Sequence, residues 1–513
     1  MSFVLLPNLK ITAHVAGSSD LFAGEADFSD SFEFAENWPN TLDTPDLSPT
    51  ASFVTADLAD SFEFAESWPN TLDTPDLSPT ASFVTADFDD GFEGSDDWPN
   101  AFPITYTETV ITSSGDAVDG GTLDQYGYSV DMTPDASIIV ATSRLSDDPT
   151  TDAGSVTVLR NNGTNWYEEQ VLTSSATPTG SWAFGQDLCI APTGDKIFAG
   201  EYSYSGSSGG AGRVSIFVTG SGGWELAQEF TGSGEEFRTF NLGYRVETNQ
   251  TGEKLFVGYP DYDIPGEGTS QEGTVLIYAS GSGGYAVEQT LTSSVLGTLW
   301  RFGQGIGNNA NGDRLIIGSP RATAGGTATA GVVEFFRSGS GGWELEQLVS
   351  SSAPVANDRL GSSTAMNADG TRAAAGAALY DAVVSNDGAV FVYSSGSGGW
   401  TEEQILTSSN TTGDARLGET EIWMNPAGDM IVAGAYFSDN PAALEGNILI
   451  FRSGSAGWYE EQLLSSSAQP TTGGGQLGIS FGVSSNGAVI AGGVPAADTP
   501  TTNAGHISLF EGP

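Results

Sequence analysis

Basic residues are scarce in this chain: 16 Lys and Arg stand against 65 Asp and Glu among 513 residues, a formal net charge of -49. A surface of that sign repels nucleic acid and anionic membranes, and favours a basic partner or a saline medium. Cysteine occurs once, at Cys189, which excludes an internal disulfide framework. Histidine is confined to His14 and His506, in unrelated contexts, and no Ser/His/Asp, Cys/His or metal-ligand constellation can be traced along the chain. Neither an enzyme nor a cofactor is expected. No apolar run approaches the length of a membrane span, so membrane insertion is not expected either. The opening MSFVLLPNLK has no basic residue ahead of its apolar patch and no small-residue cleavage site, a poor match to a secretory signal.

Glycine is abundant, at 68 residues, and 38% hydrophobic content suffices for a packed core. The first 104 residues differ in kind from the rest, with 20 acidic residues against the single basic Lys10. Residues 27–56 and 57–86 are near-exact copies that differ at Phe28/Leu58, Ser29/Ala59 and Asn37/Ser67, and a shortened third copy fills 87–100. Each carries D-S-F-E or D-G-F-E and then W-P-N, joined by a spacer rich in Pro, Thr and Ser that reads as extended chain. Such short aromatic clusters cannot bury enough surface to fold alone. They are expected to dock, through Phe32, Phe34, Trp38, Phe62, Phe64, Trp68, Phe92 and Trp98.

From residue 105 a second repeat takes over. Its anchors at 105, 166, 224, 285, 343, 400 and 458 lie 57–61 residues apart; all but Thr105 are aromatic. A fixed period of this size marks a repeat architecture. Each copy offers four short strands, punctuated by turns such as PTGD at 192–195 or NANGD at 309–313 and by SGSGG hairpins. Strands such as KLFVG and RLIIG are apolar on successive residues, hence covered on both faces, as in sheets packed face to face around an axis.

The order F-G, N-x-x-G-D, an apolar strand ending in Gly, G-x-V-x-V-F and W-x-E-E-Q-x-L resembles the FG-GAP repeats of bacterial propeller proteins, related to the integrin alpha-chain head. The resemblance covers residues 105–513 and implies an all-β, seven-bladed propeller of four-stranded antiparallel blades. The F-G strand would be innermost, placed by Gly127, Gly185, Gly243, Gly303, Gly361, Gly418 and Gly478, and the W-x-E-E-Q strand outermost. Blade seven would then lack its outer strand, and residues 105–112 would supply it from the N-terminal side, closing the ring. The integrin calcium loop is not carried over, because the corresponding turns lack its density of carboxylates. Asp261, Asp263 and Glu267, or Asp148 with Asp152, are the residual metal candidates.

Paired acids such as Glu168/Glu169, Glu402/Glu403 and Glu460/Glu461 read as rim charges that discourage edge pairing rather than as catalytic pairs. Gln170, Gln228, Gln289, Gln347, Gln404 and Gln462 are expected to make one repeated structural hydrogen bond. Connections alternate between the two ends of each blade, so the short uniform hairpins share one face and the longer joins share the other. That second face carries Trp182, Tyr202, Tyr204, Tyr259, Tyr262, Trp300, Tyr380, Tyr436 and Phe437, candidate ligand-binding residues on variable loops. The D-S-F-E…W-P-N units resemble repeated segments of tailed-bacteriophage structural proteins. Together these readings suggest a virion structural or attachment protein. Its arm, 1–104, would meet other virion proteins, and its propeller, 105–513, a host-surface glycan or protein. The alternative is a secreted or cell-surface bacterial carbohydrate-binding adhesin.

Overall fold

Each repeat folds where its turns force it to. In N-x-x-G-D the Asn side chain closes the turn on itself: Asn249 Oδ1 accepts from the backbone N–H of Glu253 and Lys254, at 2.9 and 3.0 Å. Gly252 supplies the positive φ of 66° that the turn requires. This hairpin spans five residues in all seven blades, as in 133–137, 249–253 and 484–488.

The computed structural model describes residues 10–11 and 26–27, then 106–113, 124–147, 153–175, 184–202, 204, 212–232, 241–264, 271–295, 297–382, 384–410, 413–439, 444–468, 474–497 and 504–512. The chain divides into two units, Met1–Phe102 and Pro103–Pro513. In the first, Lys10–Ile11 pairs antiparallel with Ala26–Asp27. The docking aromatics from Phe32 to Trp98 lie outside the described residues, as do Trp182, Glu267, Asp148 and Asp152.

The second unit is a seven-bladed β-propeller, with seven four-stranded antiparallel sheets and no helix among the described residues. Blade two illustrates the order from axis to rim: Leu188–Ile190, Lys196–Glu201, Arg213–Gly220 and Gly223–Thr231. The cores lie between blades. One joins Phe256, Val275 and Ile277 of blade three to Phe302, Leu315 and Trp343 of blade four. Strands apolar on both faces, such as Lys254–Tyr259, are buried on both for this reason.

The F-G glycine and the glycine ending the second strand are required by each other. A Cβ on Gly376 would lie 1.8 Å from the carbonyl oxygen of Gly418, and Gly418 itself has a φ of 77°. Blades five and six touch there backbone to backbone, and only at the junction of blades one and two does a side chain, Thr142 against Gly185, take the second glycine's place.

At the rim, blades one to five each hold the next by a glutamine, a bond that Gln462 of blade six does not make. Gln404 Nε2 donates to the Trp458 carbonyl and its Oε1 accepts from the Trp458 N–H, both at 2.8 Å. Gln170, Gln228, Gln289 and Gln347 do the same to Trp224, Tyr285, Trp343 and Trp400. The acid before the glutamine is bulged out of register and serves this junction too: Glu403 accepts from the Trp458 indole at 3.1 Å and pairs with Arg372 at 3.2 Å. Glu169 likewise accepts from the Trp224 indole at 3.2 Å, so both acids are inter-blade ties as well as rim charges, whereas Glu461 pairs with Arg452 of its own blade.

Thr107–Ile111 closes the ring as the outer strand of blade seven, paired antiparallel with His506–Glu511. The anchor is not Thr105 but Tyr106. The other six outer strands carry the bulge and the closing strand does not, so its register runs one residue ahead of the motif alignment. The Tyr106 hydroxyl donates to the Gly487 carbonyl at 2.7 Å, as Tyr285 does to Gly252 in blade three.

Candidate functional site

The innermost strands line a central channel. They do not pair with one another across blades, so their inward polar groups are met by side chains instead. Asp131 accepts from the Ile190 N–H at 2.8 Å, Asp187 from the Val246 N–H at 2.7 Å and Ser480 from the Val130 N–H at 2.9 Å.

The waist of the channel is one layer, set by the residue two places after the F-G glycine: Ser129, Asp187, Arg245, Gly305, Ser363 and Ser480. Blade six has one residue more between Gly418 and Asn425 than blade three has between Gly243 and Asn249, and Glu421 takes the equivalent place there. Its carbonyl accepts from the Gly434 N–H as that of Asp187 does from Gly200. Arg245 and Glu421 meet across the channel with both guanidinium ends engaged, at 2.9 and 3.0 Å. The blades between them contribute only Gly305 and Ser363 at this level, which leaves the path open.

Asp187 and Glu247 also face the guanidinium, at 3.8 and 3.5 Å. Three carboxylates, Asp187, Glu247 and Glu421, thus share the one arginine, and Asp131 accepts from the backbone N–H groups of Ile190 and Met132 beside them. Burial pushes the Asp131 carboxyl up to about 7, and the charges of Glu421 and Asp187 push the same way. Burial raises Glu247, Asp187 and Glu421 as well, against the pull of Arg245. The 29% of the Glu247 side chain that stays exposed faces the channel, not the outside of the ring.

On either side of this waist the channel opens into a cavity. The one on the hairpin face has about 490 Å³, and Pro134, Pro192, Gln250 and Pro426 stand at its end. The one on the loop face has about 230 Å³ and is lined by Tyr128, Gln186, Tyr244, Gln304, Glu419 and Tyr436, among others.

Of the aromatics expected on the loop face, Tyr436 lines this smaller cavity. The other described ones, apart from Tyr202, pack against neighbouring side chains. Tyr204 covers Arg213, whose guanidinium carbon sits 4.2 Å from the ring centre. Tyr259 is 2% exposed and lies 5.0 Å from Tyr262. Trp300 packs on Ala322, Ala324, Ala330 and Val332. Phe437 stacks on Tyr436 and Arg416, and Tyr380 meets Phe391 edge to face. Tyr202 is half-buried. Among the metal candidates, Asp261 takes both ends of Arg301 at 2.9 and 3.1 Å, and Asp263 accepts from the Gln271 N–H. No group of three or more metal-ligating side chains assembles among the described residues.

One cluster was invisible in the sequence because its members come from both ends of the ring. His506 Nε2 lies 3.3 and 3.2 Å from the hydroxyls of Ser466 and Ser508, and Ser466 donates to Glu108 of the closing strand at 2.7 Å. His506 is fully buried and its Nδ1 has no partner, so no carboxylate orients the ring as a hydrolytic triad demands. Burial pulls its pKa from 6.5 to about 4, against the opposing pull of Glu108. A depressed histidine contributes stability above its unfolded pKa that is lost as pH falls from 6.5 towards 4, here on the order of 3 kcal/mol. Asp131 and Glu201, both raised to about 7 by burial, shift stability the other way over that window. The expected result is therefore a difference: the gap in urea stability between the parent chain and His506→Gln should shrink from pH 7 to pH 4. A gap that stays constant with pH would show that His506 does not titrate on unfolding.

Comparison of the chain with protein-family models finds no match, and comparison with curated proteins finds none either.

Proposed function

We propose that this propeller is a non-catalytic binding protein, a virion structural or attachment component. In this reading its loop face meets a glycan or protein on a host surface, and its acidic arm docks on other virion proteins. The FG-GAP-like repeat order and the phage-like arm segments support it from the sequence side.

The observation that carries it is the inequality of the two faces of one ring. Hairpins between first and second strands span five residues in every blade, whereas joins between second and third strands run from 11 residues, as in 144–154, to 14 in 260–273. Joins from outer to next inner strand run from 10 residues in 350–359 to 16 in 465–480. Uniform turns serve a scaffold; unequal joins held on a rigid ring are where recognition resides.

Oriented immobilisation tests it. Cys189 is buried and burial raises its thiol pKa well above the usual range, so it stays out of coupling chemistry. A single thiol is placed either by Gly398→Cys in an SGSGG hairpin, where an added Cβ meets nothing within 4 Å, or by Val355→Cys on the loop face, where the side chain is 54% exposed. Beads coupled through the hairpin variant should capture host cells, and beads coupled through the loop variant should not. The opposite ranking would put recognition on the hairpin face. Immunogold labelling of virus particles carrying the gene tests the virion assignment separately, and unlabelled particles would favour the secreted adhesin.

A further inference from the structure

The repeat holds its scaffold positions nearly constant and lets its inward positions vary, the outermost of them at the loop-side mouth of the channel. The residue directly after the F-G glycine is Tyr128, Gln186, Tyr244, Gln304, Ser362, Glu419 and Ile479 in blades one to seven. All seven line the 230 Å³ cavity at the loop-side mouth of the channel. Seven equivalent backbone sites thus carry phenol, amide, hydroxyl, carboxylate and alkyl groups around one small cup. A structural requirement common to all blades would select one residue type, as it does for the adjoining glycine.

The cup is blind, because the Arg245–Glu421 pair forms its floor. Its volume is below the range of drug-sized sites, roughly 300–1,000 Å³, which restricts it to a single ring or end group. At the rim Glu419 pairs with Arg416 at 3.3 Å and accepts from the Tyr436 hydroxyl at 3.0 Å, while on the floor Glu421 and Asp187 share Arg245. No unmatched charge at the rim selects an ion. What the rim offers is hydrogen bonding of both senses beside aromatic faces. Gln304 is fixed by Arg301, which donates to its Oε1 at 3.3 Å, and its amide N–H groups are left to a ligand. Gln186 lies between Arg144 and the Tyr128 hydroxyl, at 3.5 and 3.4 Å, and Arg144 in turn stacks on Tyr128. Side chains held by a supporting layer of arginines are pre-organised, which lowers the ordering cost of binding.

We propose that this cup binds one neutral sugar ring, the terminal residue of a surface glycan. Sugar hydroxyls donate and accept at once, as the amides and phenols do, and the C–H face of a pyranose suits the tyrosine rings. The inference rests on the loop-face reading above and narrows it to one site and one ligand class.

The test is a printed array of neutral and acidic oligosaccharides probed with the full chain, followed by calorimetry with the free monosaccharide of any terminal residue bound. Neutral glycans sharing a terminal sugar should bind. Gln304→Ala should weaken binding about tenfold, by loss of a half-buried hydrogen-bonding group. Ile479→Trp, which fills the cup and removes no polar group, should abolish binding, and both variants should melt with the parent. Unchanged array binding in both variants overturns the cup, as does binding of acidic glycans only or of no glycan. In each of those cases the oriented beads still report on the loop face by themselves, so failure of the site and failure of the function remain distinct.

Discussion

Removal of residues 1–112 should lower the melting temperature of the propeller by on the order of 10 °C, while removal of 1–100 should leave it nearly unchanged. The longer deletion takes away Thr107–Ile111, and with it the pairing from Thr107↔Glu511 to Ile111↔Ile507. It also removes the Tyr106 bond to Gly487 and the Glu108 bonds to Ser466 and Ser467, at 2.7 Å each. About five backbone hydrogen bonds at about 1 kcal/mol each, with the burial of Ile111 and Tyr106 added, are a large share of the stability of any domain. A ring is affected more than an open sheet would be, because His506–Glu511 becomes an exposed edge able to pair with other chains. A synthetic peptide of residues 104–113 added in trans should recover part of the loss and suppress aggregation. Equal melting of the two truncations would mean that blade seven does not need its fourth strand.

This closure was legible in the sequence and its register was not, for one physical reason. The blade motif is written in residues that act on near neighbours or on the next blade: Asn249 on its own turn, Gly376 on Gly418, Gln404 on Trp458. Most copies repeat them, so seven blades and the missing eighth outer strand could be counted. A bulge leaves no mark of its own, since the extra residue, a glutamate in five blades and Ala227 in blade two, is of no special type. Its loss in the closing strand therefore moved the anchor from Thr105 to Tyr106 unseen.

The channel was illegible for the converse reason. Arg245 and Glu421 lie 176 residues apart, occur once each, and sit at different distances from their F-G glycines because blade six has one extra residue. Exposed-looking loop aromatics drew attention instead. Several of them cover arginines or alanines of neighbouring segments, as Tyr204 and Trp300 do. The signal that was available is subtler: the two positions after the glycine change from blade to blade while the glycine does not.

Arg245→Met should destabilise the propeller by about 3–5 kcal/mol at pH 7, the cost of leaving buried charge without its partner. The substitution keeps much of the side-chain volume and deletes the guanidinium. Glu421 then loses bonds of 2.9 and 3.0 Å, and Asp187 and Glu247 lose their shared cation. Three carboxylates face one another with no cation among them, beside Asp131, which burial already holds at about 7. The pH dependence carries the sign of the mechanism. Burial raises these carboxyls in the folded state and the loss of Arg245 raises them further, so the stability they contribute is present at low pH and is lost as pH rises through their folded pKa values. The variant should consequently approach the parent at pH 5 and fall away from it by pH 8. Adding Glu421→Gln should restore part of the stability at pH 7, because it removes one of the stranded charges, and a double-mutant cycle measures the coupling. A loss independent of pH, or no coupling with Glu421→Gln, would mean that Arg245 acts by packing alone and that the floor of the channel is not an ion pair in solution.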